Sequence, residues 1–258
     1  MRVGLPRVAS VIVPTLTASV ALLAIASIPL GGCGDGDDVY KATPAYSGKK
    51  ADLPAVPTLP NTPLKVGDAY TVFGAIHPLR SLYHSGDVTK KDIAIQGYIV
   101  DTNIPTAPAC AVHPVGKKDP DDCKTEIPSF WIADSNGDKT VQKIRVIGWA
   151  SNFANVNEAM GKYKNAKDPP KHAEKPDNAG KPGYLVTDDV WNNDIPFPIP
   201  AIGEKVKVTG HYGTISTKAS SGLVSDPQNG VMTYGTMDML EPPTEPAAFS
   251  KSAAVAKK

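Results

Sequence analysis

Cysteine is scarce in this sequence, three in 258 residues, and so are phenylalanine and tryptophan, at five and three. Three thiols cannot build a disulfide-dense scaffold, so the fold has to rest on a buried apolar core. An excess of charge is missing too: 27 Lys and Arg stand against 26 Asp and Glu, a net charge of +1. Residues 88–240 hold 17 basic and 18 acidic residues. A dedicated nucleic-acid binder shows a basic excess, so strong nucleic-acid binding is not expected. No G-x-S-x-G, Walker loop or H-E-x-x-H is present, and no repeat recurs at a solenoid period. The five histidines, His77, His84, His113, His172 and His211, do not recur at ligand spacing. No catalytic residue, metal or cofactor is therefore assigned.

What the chain does have begins at its N-terminus. Arg2 and Arg7 precede Val8–Leu30, a run of Val, Ile, Leu and Ala without charge that ends in small residues. That order is a secretory signal peptide; an uncleaved anchor is the competing reading, since the run is almost long enough to span a bilayer. Leu30-Gly31-Gly32-Cys33 resembles the bacterial lipobox. The resemblance implies cleavage after residue 32, lipidation of Cys33, and attachment to a membrane of the bacterial cell envelope, facing periplasm or exterior. Several acyl chains hold a protein at a bilayer where a single one is marginal. Residues 33–63 are rich in Pro, Ala and Asp without an apolar period and read as a flexible tether, spanning on the order of 30 Å as a coil.

Residues 64–240 follow as one domain, and 241–258 read as a disordered tail. The domain reads as mainly β. Ile93, Ile95, Gly97 and Ile99 share one parity in "KDIAIQGYIVD", and Val206 and Val208 alternate with Lys205 and Lys207. Two β-rich runs flank Asn136-Gly137, a strong hairpin signal. "NGVMTYGTMDMLEP" closes the series, and "DAYTVFGAIH" is read as a further strand before it. "DSNGD" at 134–138 fails as a calcium loop, with Lys139 where Gly is needed, and reads as the hairpin turn. One helix is expected in "NVNEAMGKYKNA", capped by Asn155 with Glu158 at the capping-box offset and Phe153, Val156, Met160 and Tyr163 on one face. A charged Pro/Gly stretch and an extended Pro-rich segment then lead to the next strand.

Strand, two-stranded hairpin, helix, strand, strand resembles the OB-fold, a five-stranded Greek-key barrel with one helix between strands 3 and 4. "IQGYIVD" is similar to its first strand, whose mid-strand glycine lets the strand coil; "FWIADSNG" is similar to the second strand and "GEKVKVTGHYG" to the fourth. The departures are long connections, 102–127 and 151–203. The resemblance implies a ligand face on strands 2 and 3, serving oligonucleotides, oligosaccharides or protein segments, and fold alone does not choose among them.

Parity suggests which residues meet a ligand there. With Phe130, Ile132, Ile144 and Val146 inward, Trp131, Lys143, Arg145 and Trp149 face out, an aromatic and basic mixture suited to stacking. The alternative is that the 151–203 connection folds back over this face. Cys110 and Cys123, left over once Cys33 is lipidated, are expected to form a disulfide closing a 14-residue loop; metal binding by Cys110, His113 and Cys123 is the weaker alternative. Asp188-Asp189 reads as a solvated loop. The expected function is a non-enzymatic, lipid-anchored module that binds an unknown protein or polymeric ligand. An oligonucleotide or oligosaccharide binder is the second reading, and an envelope hydrolase assembled from distant residues the third. Cys33→Ala should move the protein from the membrane to the soluble fraction; unchanged partitioning on envelope fractionation would refute the anchor.

Overall fold

Strand β3 (Ile93–Thr102) pairs along both of its edges. In this computed structural model the described residues are 48, 62–137, 142–164, 169–173, 181–219 and 222–250. The signal run, Cys33 and almost all of the expected tether lie outside them. All described residues except Gly48 belong to a compact unit spanning Thr58–Lys258. Among them, no helix is long and apolar enough to cross a membrane.

The architecture is mainly β, built around one large mixed sheet. A short β1 (Lys65–Val66) and β2 (Ala69–Tyr70) lead into helix α1 (Val72–Leu79) and the single turn α2 (Gly86–Thr89). After β3 come β4 (Phe130–Ala133), β5 (Ile144–Ile147), helix α3 (Phe153–Tyr163) and β6 (Lys205–Gly213). A two-stranded ribbon, β7 (Ile215–Ala219) with β8 (Gly222–Ser225), precedes β9 (Val231–Glu241). The sheet runs β1-β2-β3-β4-β5-β9-β6, and a further β3–β6 pairing returns it to β3. In the closed part, β3-β4-β5-β9-β6-β3, β5 and β9 are parallel and the other neighbours antiparallel, while β2 joins β3 from outside it in parallel.

Gly97 is what lets β3 serve two partners. Ile93–Tyr98 pair with β6, while Tyr98–Thr102 pair with β4. A Cβ at Gly97, where the partners change, would lie 2.7 Å from the Ala133 carbonyl oxygen and 3.1 Å from Val72. Any side chain there would push β4 away. Alternation then supplies the core: Ile95, Ile99, Phe130, Ile132, Ile144, Val146, Val206 and Val208 are all buried, as their parity indicated.

Three features differ from the sequence reading. "DAYTVFGAIH" is helical from Val72 on, not a strand. Its buried residues Val72, Ala75, Ile76 and Leu79 fall at i, i+3, i+4 and i+7, a helical stripe. Its first turn is also capped twice: Thr71 Oγ1 accepts from Gly74 N–H, and the Asp134 carboxylate accepts from Val72 and Phe73 N–H at 2.7 and 2.8 Å. Helix α3 starts earlier than expected, with Asn152 as its cap accepting from Asn155 N–H at 2.9 Å. The tail is seated beyond Glu241: Ala247 and Phe249 pack on the core, with Phe249 edge-on to Phe153. Residues 251–258 lie outside the described part.

Glu204 tightens the start of β6. Its backbone carbonyl accepts from Ile99 N–H at 2.7 Å, which leaves its side chain fully buried. One carboxyl oxygen accepts from Ala201 N–H; the other has no partner among the described residues. Burial pushes the carboxyl from 4.5 up to about 7. Between those values the folded state holds a proton that the unfolded state has lost, so stability falls as pH rises across the window and the loss is complete above it. Glu204→Gln should therefore be more stable than the native protein at about pH 8, by roughly 3 kcal/mol. Denaturant titrations should show that gap closing below about pH 4, and a gap independent of pH would refute the account.

Candidate functional site

The β4–β5 hairpin sets the candidate ligand face. Its register places Trp131 opposite Arg145, with Phe130 and Ile132 on the core side opposite Val146 and Ile144. Trp131 is half-buried on the outer side, and Lys143 and Arg145 flank it with their cationic groups 5.3 and 5.2 Å from the ring centroid. Three of the four expected residues are thus brought together.

The fourth is not. Trp149 is fully buried and packs on Phe130 at a centroid distance of 6.2 Å. Strand parity stops at Ile147, because Gly148 takes φ +85°, a conformation that favours glycine. The chain turns there, and the next side chain points into the core. The outer face therefore holds one indole, and Trp149 is a core residue.

The cations are already engaged. Lys143 Nζ lies 3.2 Å from an Asp101 carboxylate oxygen, and Arg145 lies 3.1 Å from Glu126 while also donating to Ser129 Oγ. Two positive and two negative groups surround the ring, and Lys124 in the lining of the adjoining cleft is the one cation there without an ion pair among the described residues, so the face carries at most a small positive charge. A single exposed ion pair of this kind contributes about 0–1 kcal/mol; its importance here is that it neutralises the surface.

Beside Trp131 lies a cleft of about 470 Å³, walled by Asp101, Asn103, Thr106, Thr125, Glu126 and the ring itself. The long 102–127 connection forms its far wall. Of the described residues of the 151–203 connection, Phe153 alone reaches the lining. The wall is held in three ways. Asn103 clamps its base, donating to Ile127 C=O at 2.7 Å and accepting from Ser129 N–H at 2.8 Å. Cys110 and Cys123 form the expected disulfide. Inside the bridged loop, His113 Nε2 meets Asp119 at 2.6 Å and its Nδ1 meets Pro114 C=O. The two thiols are joined to each other, so Cys110, His113 and Cys123 do not present a ligand set.

Three of the other histidines have separate acidic neighbours: His84 meets Asp87, His172 meets Asp194, and His211 lies near Asp92, while His77 lies against the Phe73 ring. Among the described residues no three His, Cys, Asp or Glu side chains are grouped to hold a metal ion. Sequence reasoning missed the most densely bonded carboxylate. Asp188 is buried rather than solvated. It accepts from Ser151 N–H at 2.7 Å, from Asn155 Nδ2 at 3.1 Å, and from Val190 and Trp191 N–H. The Asp-Asp-Val-Trp-Asn order of 188–192 carries the turn signal that could have shown this, since Asp bonds the backbone two and three residues on.

No protein-family model and no curated protein matches this chain. The bridge itself gives a direct check. With its ends 13 positions apart in sequence, it should contribute about 3 kcal/mol in the chain-entropy model. A Cys110→Ser, Cys123→Ser double variant should melt at lower temperature by that equivalent, and mass spectrometry after alkylation of the non-reduced protein should find no label on either residue. Alkylation at Cys110 would refute the bridge.

Proposed function

We propose that the chain is a lipid-anchored, extracytoplasmic binding module whose domain is an OB-type barrel, with its ligand face on β4 and β5. The observation that carries the reading is the circuit β3-β4-β5-β9-β6-β3 with a parallel β5–β9 pair and α3 between the third and fourth strands. That is the strand order expected of a five-stranded Greek-key barrel with this insertion. The N-terminal half of the reading rests on the sequence: the signal run, the lipobox-like Leu30–Cys33 and the Pro-rich tether to about residue 63. The module works by binding and performs no bond-making step.

The face around Trp131 favours an uncharged polymer over a nucleic acid. A nucleic-acid groove offers unpaired cations to phosphates and releases counterions on binding. Here Lys143 and Arg145 already hold Asp101 and Glu126. What remains is an aromatic edge bordered by the Thr106 and Thr125 hydroxyls, the second carboxylate oxygens of Asp101 and Glu126, and the Lys124 ammonium, a mixture suited to a hydroxyl-rich chain such as an oligosaccharide. Binding to an envelope protein segment at the same face is the other occupant of this class.

Envelope-derived oligosaccharides titrated against the protein should bind, and Trp131→Ala should weaken them by at least about fivefold, the loss of one stacking contact of about 1–3 kcal/mol. Single-stranded DNA should bind weakly and only at low salt. Submicromolar DNA affinity at physiological salt, or saccharide binding that survives Trp131→Ala, would overturn this assignment.

A further inference from the structure

A second concavity lies along the C-terminal half of α3, lined by residues the Trp131 cleft does not use. Met160 and Tyr163 form one wall, Phe197 and Ile199 a second, and Ala247 and Phe249 a third. The space is about 530 Å³, within the roughly 300–1,000 Å³ of small-molecule sites. Its walls are fixed. Tyr163 donates its hydroxyl to Ile195 C=O at 2.7 Å, accepts from Val186 N–H, and stacks edge-on against Phe197 at 5.2 Å. Phe249 is held by Phe153.

Two residues at this groove have no explanation in the chain's own packing. Gly161 sits inside the helix, where glycine is unfavourable relative to alanine. A Cβ there would meet no atom within 4 Å, so nothing in the protein demands its absence. What the missing side chain does is leave the groove open. Lys164, at the helix end, is the charged residue of the lining. Lys162, two positions earlier, is paired with Glu158; the Lys164 ammonium has no carboxylate or other side-chain partner among the described residues. The C-terminal end of a helix favours a cation, and here that cation stands at the mouth of an otherwise uncharged, apolar space.

We infer that this groove binds an apolar chain ending in an anion, a long-chain carboxylate, with the chain against Met160, Phe197 and Phe249 and the head at Lys164. Burial of the chain supplies the affinity, since each methylene removed from water is favourable, and the ammonium selects the head. The site is independent of the Trp131 face, so either assignment stands or falls without the other.

The test uses the purified full chain, with dodecanoate kept below its micelle-forming concentration, followed by calorimetry. Saturable one-to-one binding is expected. Gly161→Leu should fill the groove and weaken binding by at least about tenfold, equivalent to losing a few buried methylenes, while the thermal midpoint holds or rises. Lys164→Glu should weaken dodecanoate by about fivefold and leave dodecanol unchanged. A photoreactive diazirine analogue of the fatty acid should label Met160 or Phe249. Absence of binding, affinity unchanged in Gly161→Leu, or label confined to other residues would overturn the site. Equal response of dodecanol and dodecanoate to Lys164→Glu would overturn the role of the charge.

Discussion

Strand β3 is hydrogen-bonded on two sides, and the rest of the sheet is arranged around that constraint. Ten residues must reach β6 with their first half and β4 with their second. A strand can do so only by coiling, and coiling brings its concave side close to a neighbouring backbone. Gly97 answers this locally, since a Cβ there would sit 2.7 Å from the Ala133 oxygen. Glu204 answers it at the far end: Ile99 N–H donates to its carbonyl, and Gly203 N–H donates to Ile99 C=O. These two bonds continue the β3–β6 contact past Lys205, and they draw the Glu204 carboxyl into the core, where it holds its proton to about pH 7. A titrating group in the core is thus a by-product of pairing one strand twice.

The same geometry decides what the β4–β5 face can present. Both strands are four residues long, so the outer side offers few positions. Trp131 and Arg145 take one cross-strand pair, and cross-strand neighbours on one face are the ones that interact. Arg145 also reaches Ser129 and Glu126, at the end of the disulfide-bridged connection. The face and its flanking loop are consequently one bonded unit. Reduction of Cys110–Cys123 releases chain between anchors, but Asn103 still ties the base of the loop to Ile127 and Ser129. The cleft wall nearest Trp131 is therefore held from below as well as from the bridge.

Much of this was legible in the sequence wherever period-2 alternation ran uninterrupted. Ile93–Ile99, Phe130–Ile132, Ile144–Val146 and Val206–Val208 all face as their parity indicates, and Asn136-Gly137 stands at the hairpin, with Gly137 at φ +87°. Parity failed where the backbone left the strand. Gly148 at φ +85° turned Trp149 inward, and no property of Trp149 itself announces that. The Val72–Leu79 helix was hidden for a different reason. Its local marks, the Thr71 cap and the Val72, Ala75, Ile76, Leu79 spacing, span only two turns, and the further cap from Asp134, 62 residues away from Val72, is tertiary and invisible in the local sequence. Asp188 shows a third kind of failure. Two adjacent acids look solvated, but four donors, three of them backbone N–H groups, make burial of one of them favourable.

Helix α3 separates the two concavities. Phe153, at its N-terminal end, borders the Trp131 cleft, and Met160 and Tyr163, at its other end, border the apolar groove. A helix that forms part of two sites could couple them, but coupling needs an element with two arrangements of similar energy. This helix is tied at both ends by buried polar bonds. Asp188 holds Ser151 and Asn155 at the start, and Tyr163 holds Ile195 and Val186 at the finish. Sliding it would break at least two of these at once, each leaving a buried group unpaired at about 1–3 kcal/mol. The differential affinity of a ligand filling one cleft would have to exceed that sum before the other cleft changed shape. The two sites should therefore be occupied independently, and α3 serves as a fixed partition between them rather than as a lever.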